Sequence, residues 1–143
     1  KGVWVYVLDA GKGALAAGLG LALDGRPAAY WCGVAAVLGH MFPLFRRCKG
    51  GKGVATGSGV LLIVQPVLAP LAVGLWWLIS KVTGKAALGS VIAVALVPIG
   101  LVVQSKPAWE FFAMAGLCAL ILLKHMSNIM RLIRREEHSL SKN

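Results

Sequence analysis

Long apolar stretches dominate this chain and decide what it can become. They run at about 3–23, 28–45, 54–80, 86–103 and 108–123. Several approach or exceed the ~18–20 apolar residues that cross a bilayer core. Of the 143 residues, 58% are hydrophobic and 14% charged, where soluble domains run at roughly 45–50% and 25%. The reading is all-α: a polytopic transmembrane helix bundle, one integral membrane domain over 1–143. A formal net charge of +10 also suits a nucleic-acid binder. In a chain full of spans, basic loops follow more simply from the positive-inside bias, and the expected partner is the lipid bilayer, with no nucleic acid. Cys32, Cys48 and Cys118 lack a CxxC, and His40, His125 and His138 lack metal-ligand spacing. No metal or cofactor is expected.

All but Arg26 and Lys106 of the 15 Lys and Arg residues lie at the chain start, in 46–52, at 81 and 85, or from 124 onward, Lys12 excepted. If 46–52 and the basic tail are both cytoplasmic, an even number of crossings separates them. A single span over 54–80 gives the wrong parity. Gln65-Pro66 lies near its middle, and proline interrupts helix hydrogen bonding. Splitting there gives two short spans or a re-entrant hairpin. Six apolar helices result: 3–23, 28–45, 54–64, 67–80, 86–103 and 108–123. Small residues four apart (Ala14 and Gly18, Gly53 and Gly57, Ala86 and Ser90) read as close helix contacts.

Polar residues interrupt this apolar plan at few places. Asp9 and Lys12 sit inside the first span, three residues apart on one helix face; ionisable groups there face protein or a watery site. Both a structural ion pair and a substrate contact by Lys12, with Asp9 orienting it, remain open. The loop "KGGKG" at 49–53 precedes a helix amino end, whose free N–H groups and dipole favour an anion such as phosphate. Gly50, Gly51 and Gly53 let backbone close around it, and Lys49 and Lys52 add charge; the spacing of a nucleotide P-loop is absent. The alternative is a basic loop that only fixes topology. Beyond Lys124, His125, Asn128, Arg131 and Arg135 share one helix side, and Met126, Ile129, Leu132 and Ile133 the other. An amphipathic tail on anionic lipid accounts for the arginines but needs no His and Asn at the membrane exit. Lys12, Lys52, Ser90, His125 and Asn128 all belong to segments that the charge pattern directs to one membrane face.

"DAGKG" at 9–13, "GHMFPLF" at 39–45, "KGGKGVAT" at 49–56, "LGS" at 88–90 and "HMSNIMRL" at 125–132 occur in a familiar order. By these motifs the chain resembles the bacterial acyl-phosphate:glycerol-3-phosphate acyltransferases of the PlsY type, over about residues 7–135. The resemblance implies a seven-helix membrane fold, of which these six helices are the last six. It implies transfer of the acyl group of a fatty acyl phosphate to the first hydroxyl of sn-glycerol 3-phosphate, giving lysophosphatidic acid and phosphate. Location in the bacterial inner membrane, with the site facing the cytoplasm, goes with it. Carried over by motif, Lys52 and the glycines at 50, 51 and 53 grip phosphate. Ser90 contacts the glycerol phosphate, Asn128 helps hold it, and His125 orients or deprotonates the attacking hydroxyl. His40 and Arg131 fall to supporting roles. The family's Ser-x-Asn-x-Gly-Ala-Thr-Asn signature with a following Arg is absent and expected just before Lys1, together with a first helix. Gly11 stands where a bulkier residue is more usual, and Lys85-Ala86 where a hydroxyl is common. The rival reading is a phosphate-binding transporter or channel subunit. Acyl-chain preference and oligomeric state stay open.

Overall fold

The structure is a computed structural model that describes residues 2–43 and 50–134. Every element among them is a helix. They fall into two compact units, Lys1–Pro70 and Leu71–Asn143.

In the first unit, α1 (Gly2–Met41) is not a rod. Lys12 Nζ lies 2.7 Å from His40 Nδ1, although 28 positions along a straight helix amount to ~42 Å. The chain doubles back at Asp24 (φ −147°, ψ 26°) and Gly25 (φ 74°, ψ −159°). Gly25 takes a positive φ that a side chain would disfavour. Pro27 follows in the first turn of the return arm, where its missing N–H costs no helix bond. The expected helices 3–23 and 28–45 are therefore the two arms of one hairpin, joined by a two-residue break. The second arm stops at Met41 rather than 45, with Pro43 close behind.

α2 (Val54–Val64) packs on both arms. A Cβ on Gly13 would overlap the Thr56 carbonyl, one on Gly59 the Ala10 carbonyl, and one on Gly33 the Val60 side chain. Gly13 and Gly59 let backbones approach and Gly33 seats a side chain; where lipid is as apolar as leucine such close packing drives helix association. The contact register differs from the expected one: a Cβ on Gly18 would meet nothing, and the crossing runs through Ala10, Gly13 and Ala14 against Thr56 and Gly59. The Ser58 hydroxyl donates to the Ala55 carbonyl at 2.7 Å and accepts from Tyr6 at 2.8 Å.

At ~16 Å, an 11-residue helix is about half a bilayer core. Its carboxyl end must therefore find partners within the protein. Arg26 Nη2 donates to the Val64 carbonyl at 3.1 Å, and the buried Gln65 gives its amide hydrogen to Tyr30 Oη at 2.9 Å. The break expected at Gln65-Pro66 is present, and α3 (Leu68–Thr83) begins two residues beyond Pro66.

α3 continues past the expected end at 80, placing Lys81 in the helix, 4.6 Å above the Trp77 ring. Gly84, at φ 68°, turns the chain into α4 (Ala86–Val103). α3 meets α4 where a Cβ on Gly89 would touch the Ser80 hydroxyl and the Trp76 carbonyl. α5 (Ala108–Lys124) returns along α4, burying Met114, Leu117, Cys118 and Ile121 with Val94, Val97 and Leu101 of α4. His125 separates α5 from α6 (Met126–Ile133). α1 and α4 are long and apolar enough to cross a membrane. Large apolar side chains such as Trp4, Leu19, Trp31, Val103 and Phe112 point outward. A soluble protein keeps contiguous apolar patches small, whereas lipid accepts them.

Candidate active site

The first unit gathers Asp9, Lys12, His40 and the glycine loop. α2 starts at Val54, and its first backbone bond runs from the Gly57 N–H to the Gly53 carbonyl at 2.7 Å. The N–H groups of Val54, Ala55 and Thr56 thus precede the helical ladder, and no side chain caps them. Gly53 takes φ 85° at the N-cap, a conformation natural to glycine. Lys52 is half-buried immediately ahead of it. The loop lies on the last turns of α1: a Cβ on Gly50 would overlap the His40 carbonyl, one on Gly51 the His40 Nε2, and one on Gly53 the Met41 and Val37 side chains. Lys49 lies outside the described residues. Lys12 Nζ donates to Asp9 Oδ1 at 2.5 Å, and His40 Nδ1 is 3.6 Å from the same carboxylate oxygen.

The second unit holds Ser90, His125, Asn128 and Arg131. Ser90 is buried in the first turns of α4, and its hydroxyl donates to the Ala86 carbonyl at 3.1 Å, which leaves oxygen lone pairs as acceptors. His125 is 3% exposed. It ends α5 through its N–H, bonded to the Ile121 and Leu122 carbonyls, and its own carbonyl accepts from the Asn128 and Ile129 N–H groups. Nδ1 lies 2.9 Å from the Ile121 carbonyl. A carbonyl oxygen cannot donate, so Nδ1 carries the hydrogen and a neutral ring presents the Nε2 lone pair. Asn128, also buried, accepts at Oδ1 from Arg131 Nη2 at 3.2 Å. That bond turns the amide so that its NH2 points away from Arg131.

α6 has the two faces expected of it, but arranged for lipid. His125 and Asn128 are buried, while Met126 is 48% and Ile133 72% exposed. Arg135 lies outside the described residues. The sequence reading passed over two groups. Thr56, in the first turn of α2, is fully buried with its hydroxyl lacking a hydrogen-bond partner among the described residues; it was visible only as the last letter of "KGGKGVAT". Glu110 is buried in the first turn of α5, where the helix dipole favours a carboxylate. Its signal was an acidic residue inside an apolar stretch.

A model of the glycerol-3-phosphate acyltransferase family matches residues 1–135. The chain belongs to this family. The resemblance drawn from the five motifs is borne out. The glycerol-3-phosphate acyltransferase of Jannaschia sp. (strain CCS1) is 41% identical over 136 residues, covering 95% of this chain and 66% of the relative. That of Paramagnetospirillum magneticum is 40% identical over 131 residues, covering 92% and 65%. The chain thus spans about two thirds of the length of these curated relatives. Among solved structures, PlsY, an integral membrane glycerol 3-phosphate acyltransferase, matches in its lysophosphatidic acid form with TM-score 0.91 and 36% identity, over 96% of this chain and 71% of that one. Its glycerol 3-phosphate form matches equally, over 70% of that chain. The all-α polytopic membrane fold is therefore that of the family.

Proposed function

We propose that the protein moves the acyl group of a fatty acyl phosphate onto the first hydroxyl of sn-glycerol 3-phosphate, releasing lysophosphatidic acid and phosphate. The observation that carries this reading is the uncapped α2 amino end behind Gly50, Gly51, Lys52 and Gly53, since both substrates are anionic phosphates. The matching structure in its glycerol 3-phosphate form supports the acceptor. Lys52 and the loop N–H groups hold a phosphate, with Lys49 adding charge. Ser90 and Asn128 hold the glycerol phosphate, and Arg131 fixes the Asn128 amide. His125 Nε2 takes the hydroxyl proton as that oxygen attacks the acyl carbonyl carbon. The bond from acyl carbon to phosphate oxygen then breaks, and inorganic phosphate leaves with the electron pair.

The test is phosphate release from palmitoyl phosphate by the purified full-length protein, with and without glycerol 3-phosphate. Release that depends on glycerol 3-phosphate and yields a lysophosphatidic acid supports the reading. Binding of glycerol 3-phosphate without release would replace it with that of a phosphate-binding transporter or channel subunit.

The site faces the cytoplasm from the bacterial inner membrane in this reading, because 46–52, 81–85 and 124–143 hold most of the positive charge. In a cysteine-free background, an impermeant thiol reagent added outside should label Lys106→Cys and spare Thr83→Cys. Labelling at 83 but not 106 would invert the topology.

A further inference from the structure

The chain of contacts Asp9–Lys12–His40 has no part in the bond-making above, yet it ends on the phosphate loop. Asp9 and Lys12 lie three apart on one arm of α1 and could pair without help. What sets the cluster apart is its third member, which the hairpin brings back from 28 positions away. An ammonium has hydrogens to give and no lone pair, so the contact of Lys12 Nζ with His40 Nδ1 is donation to the ring. The neutral imidazole then carries its hydrogen on Nε2. Nε2 is also the ring atom nearest to where a side chain on Gly51 would begin, with Cε1 and Cδ2 next. The ring edge thus occupies the space that an alanine at 51 would need.

We infer that Asp9, Lys12 and His40 are positioning residues for the phosphate loop: the carboxylate and ammonium fix the imidazole, and the imidazole seats the backbone at Gly51. The inference rests on the phosphate-cradle reading of that loop. It assigns Lys12 to the alternative that the sequence left open, an ion pair with a structural task, and gives that task an object. Gly50 supplies an internal contrast. Its missing side chain makes room for the His40 and Met41 carbonyls and the Pro43 ring, which no change at the His40 side chain can move aside.

The experiment measures KM for each phosphate-bearing substrate, kcat, and thermal stability in detergent, in the full-length protein. Gly51→Ala forces the loop or the ring to move by roughly 1 Å to restore contact distance, and such misplacement can cost up to ~100-fold. Adding His40→Ala to Gly51→Ala should give a KM defect smaller than the product of the two single defects. The shortfall should lie within the roughly 2- to 150-fold coupling of residues in contact. The same change added to Gly50→Ala should give no such relief. His40→Gln, whose amide nitrogen reaches the place of Nε2, should keep a lower KM than His40→Asn. Lys12→Gln should raise KM more than it lowers kcat, with thermal stability near that of the parent. Independent effects at 40 and 51, or loss of thermal stability with KM unchanged across the His40 and Lys12 variants, overturns the inference. If instead the parent protein releases no phosphate with glycerol 3-phosphate, or Lys52→Ala leaves KM unchanged, the cradle reading fails and this inference falls with it.

Discussion

Replacing His125 by alanine lowers turnover of the full-length protein by about 10²–10⁴-fold, the usual worth of a positioned general base. The expectation follows from how the ring is held. Its Nδ1–H is committed to the Ile121 carbonyl one turn back in α5, so the orientation is set by the end of a helix. The side chain is 3% exposed, and a hydrogen bond inside protein gains from the lower dielectric. A base acts only when unprotonated, so the acidic limb of the pH–rate profile should flatten in the variant. Alanine also leaves the Ile121 carbonyl without this donor, so the variant's thermal stability in detergent must be measured beside its rate. A lowered rate with an unchanged pH profile would make His125 an orienting donor.

Lys52→Ala comes second in expected size. A hydrogen bond to a charged group contributes about 1.5–3 kcal/mol, so losing one should weaken a phosphate-bearing substrate by about 10- to 150-fold. Stability should change less, because Lys52 is only half-buried. The backbone part of the cradle survives the substitution: Gly53 keeps its left-handed conformation, and the first N–H groups of α2 stay uncapped. Residual, salt-sensitive binding is therefore expected. An unchanged KM in a folded variant would show that the loop only orients the chain in the membrane.

Apolar length and punctuation made most of the fold legible in the sequence. The run 86–103 returns as α4 with the same bounds, and 108–123 as α5 with one residue more. Gln65-Pro66 ended α2 where proline chemistry required. In each case the signal is local, because a helix in lipid satisfies its own backbone. The glycine loop was legible for the same reason: helix amino ends and glycines act through adjacent backbone. What sequence could not supply was the matching of one helix to another. Ala14 and Gly18 have the same four-residue spacing as Ala10 and Ala14, and only the crossing of α1 with α2 decides between them.

By itself, then, the sequence determined which segments are helical, that they belong in lipid, and which glycine loop leads into a helix amino end. Tertiary structure alone decided that Lys12 meets His40, since the sharp reversal at Asp24 and Gly25 sets which residues of the two arms stand level. It alone showed that the His40 imidazole occupies the space a side chain at Gly51 would need, and that His125 and Asn128 turn inward while Met126 and Ile133 turn out. A helical period places residues on a common face. Which way that face turns is set by what packs against it, and for α6 that is α4 and α5.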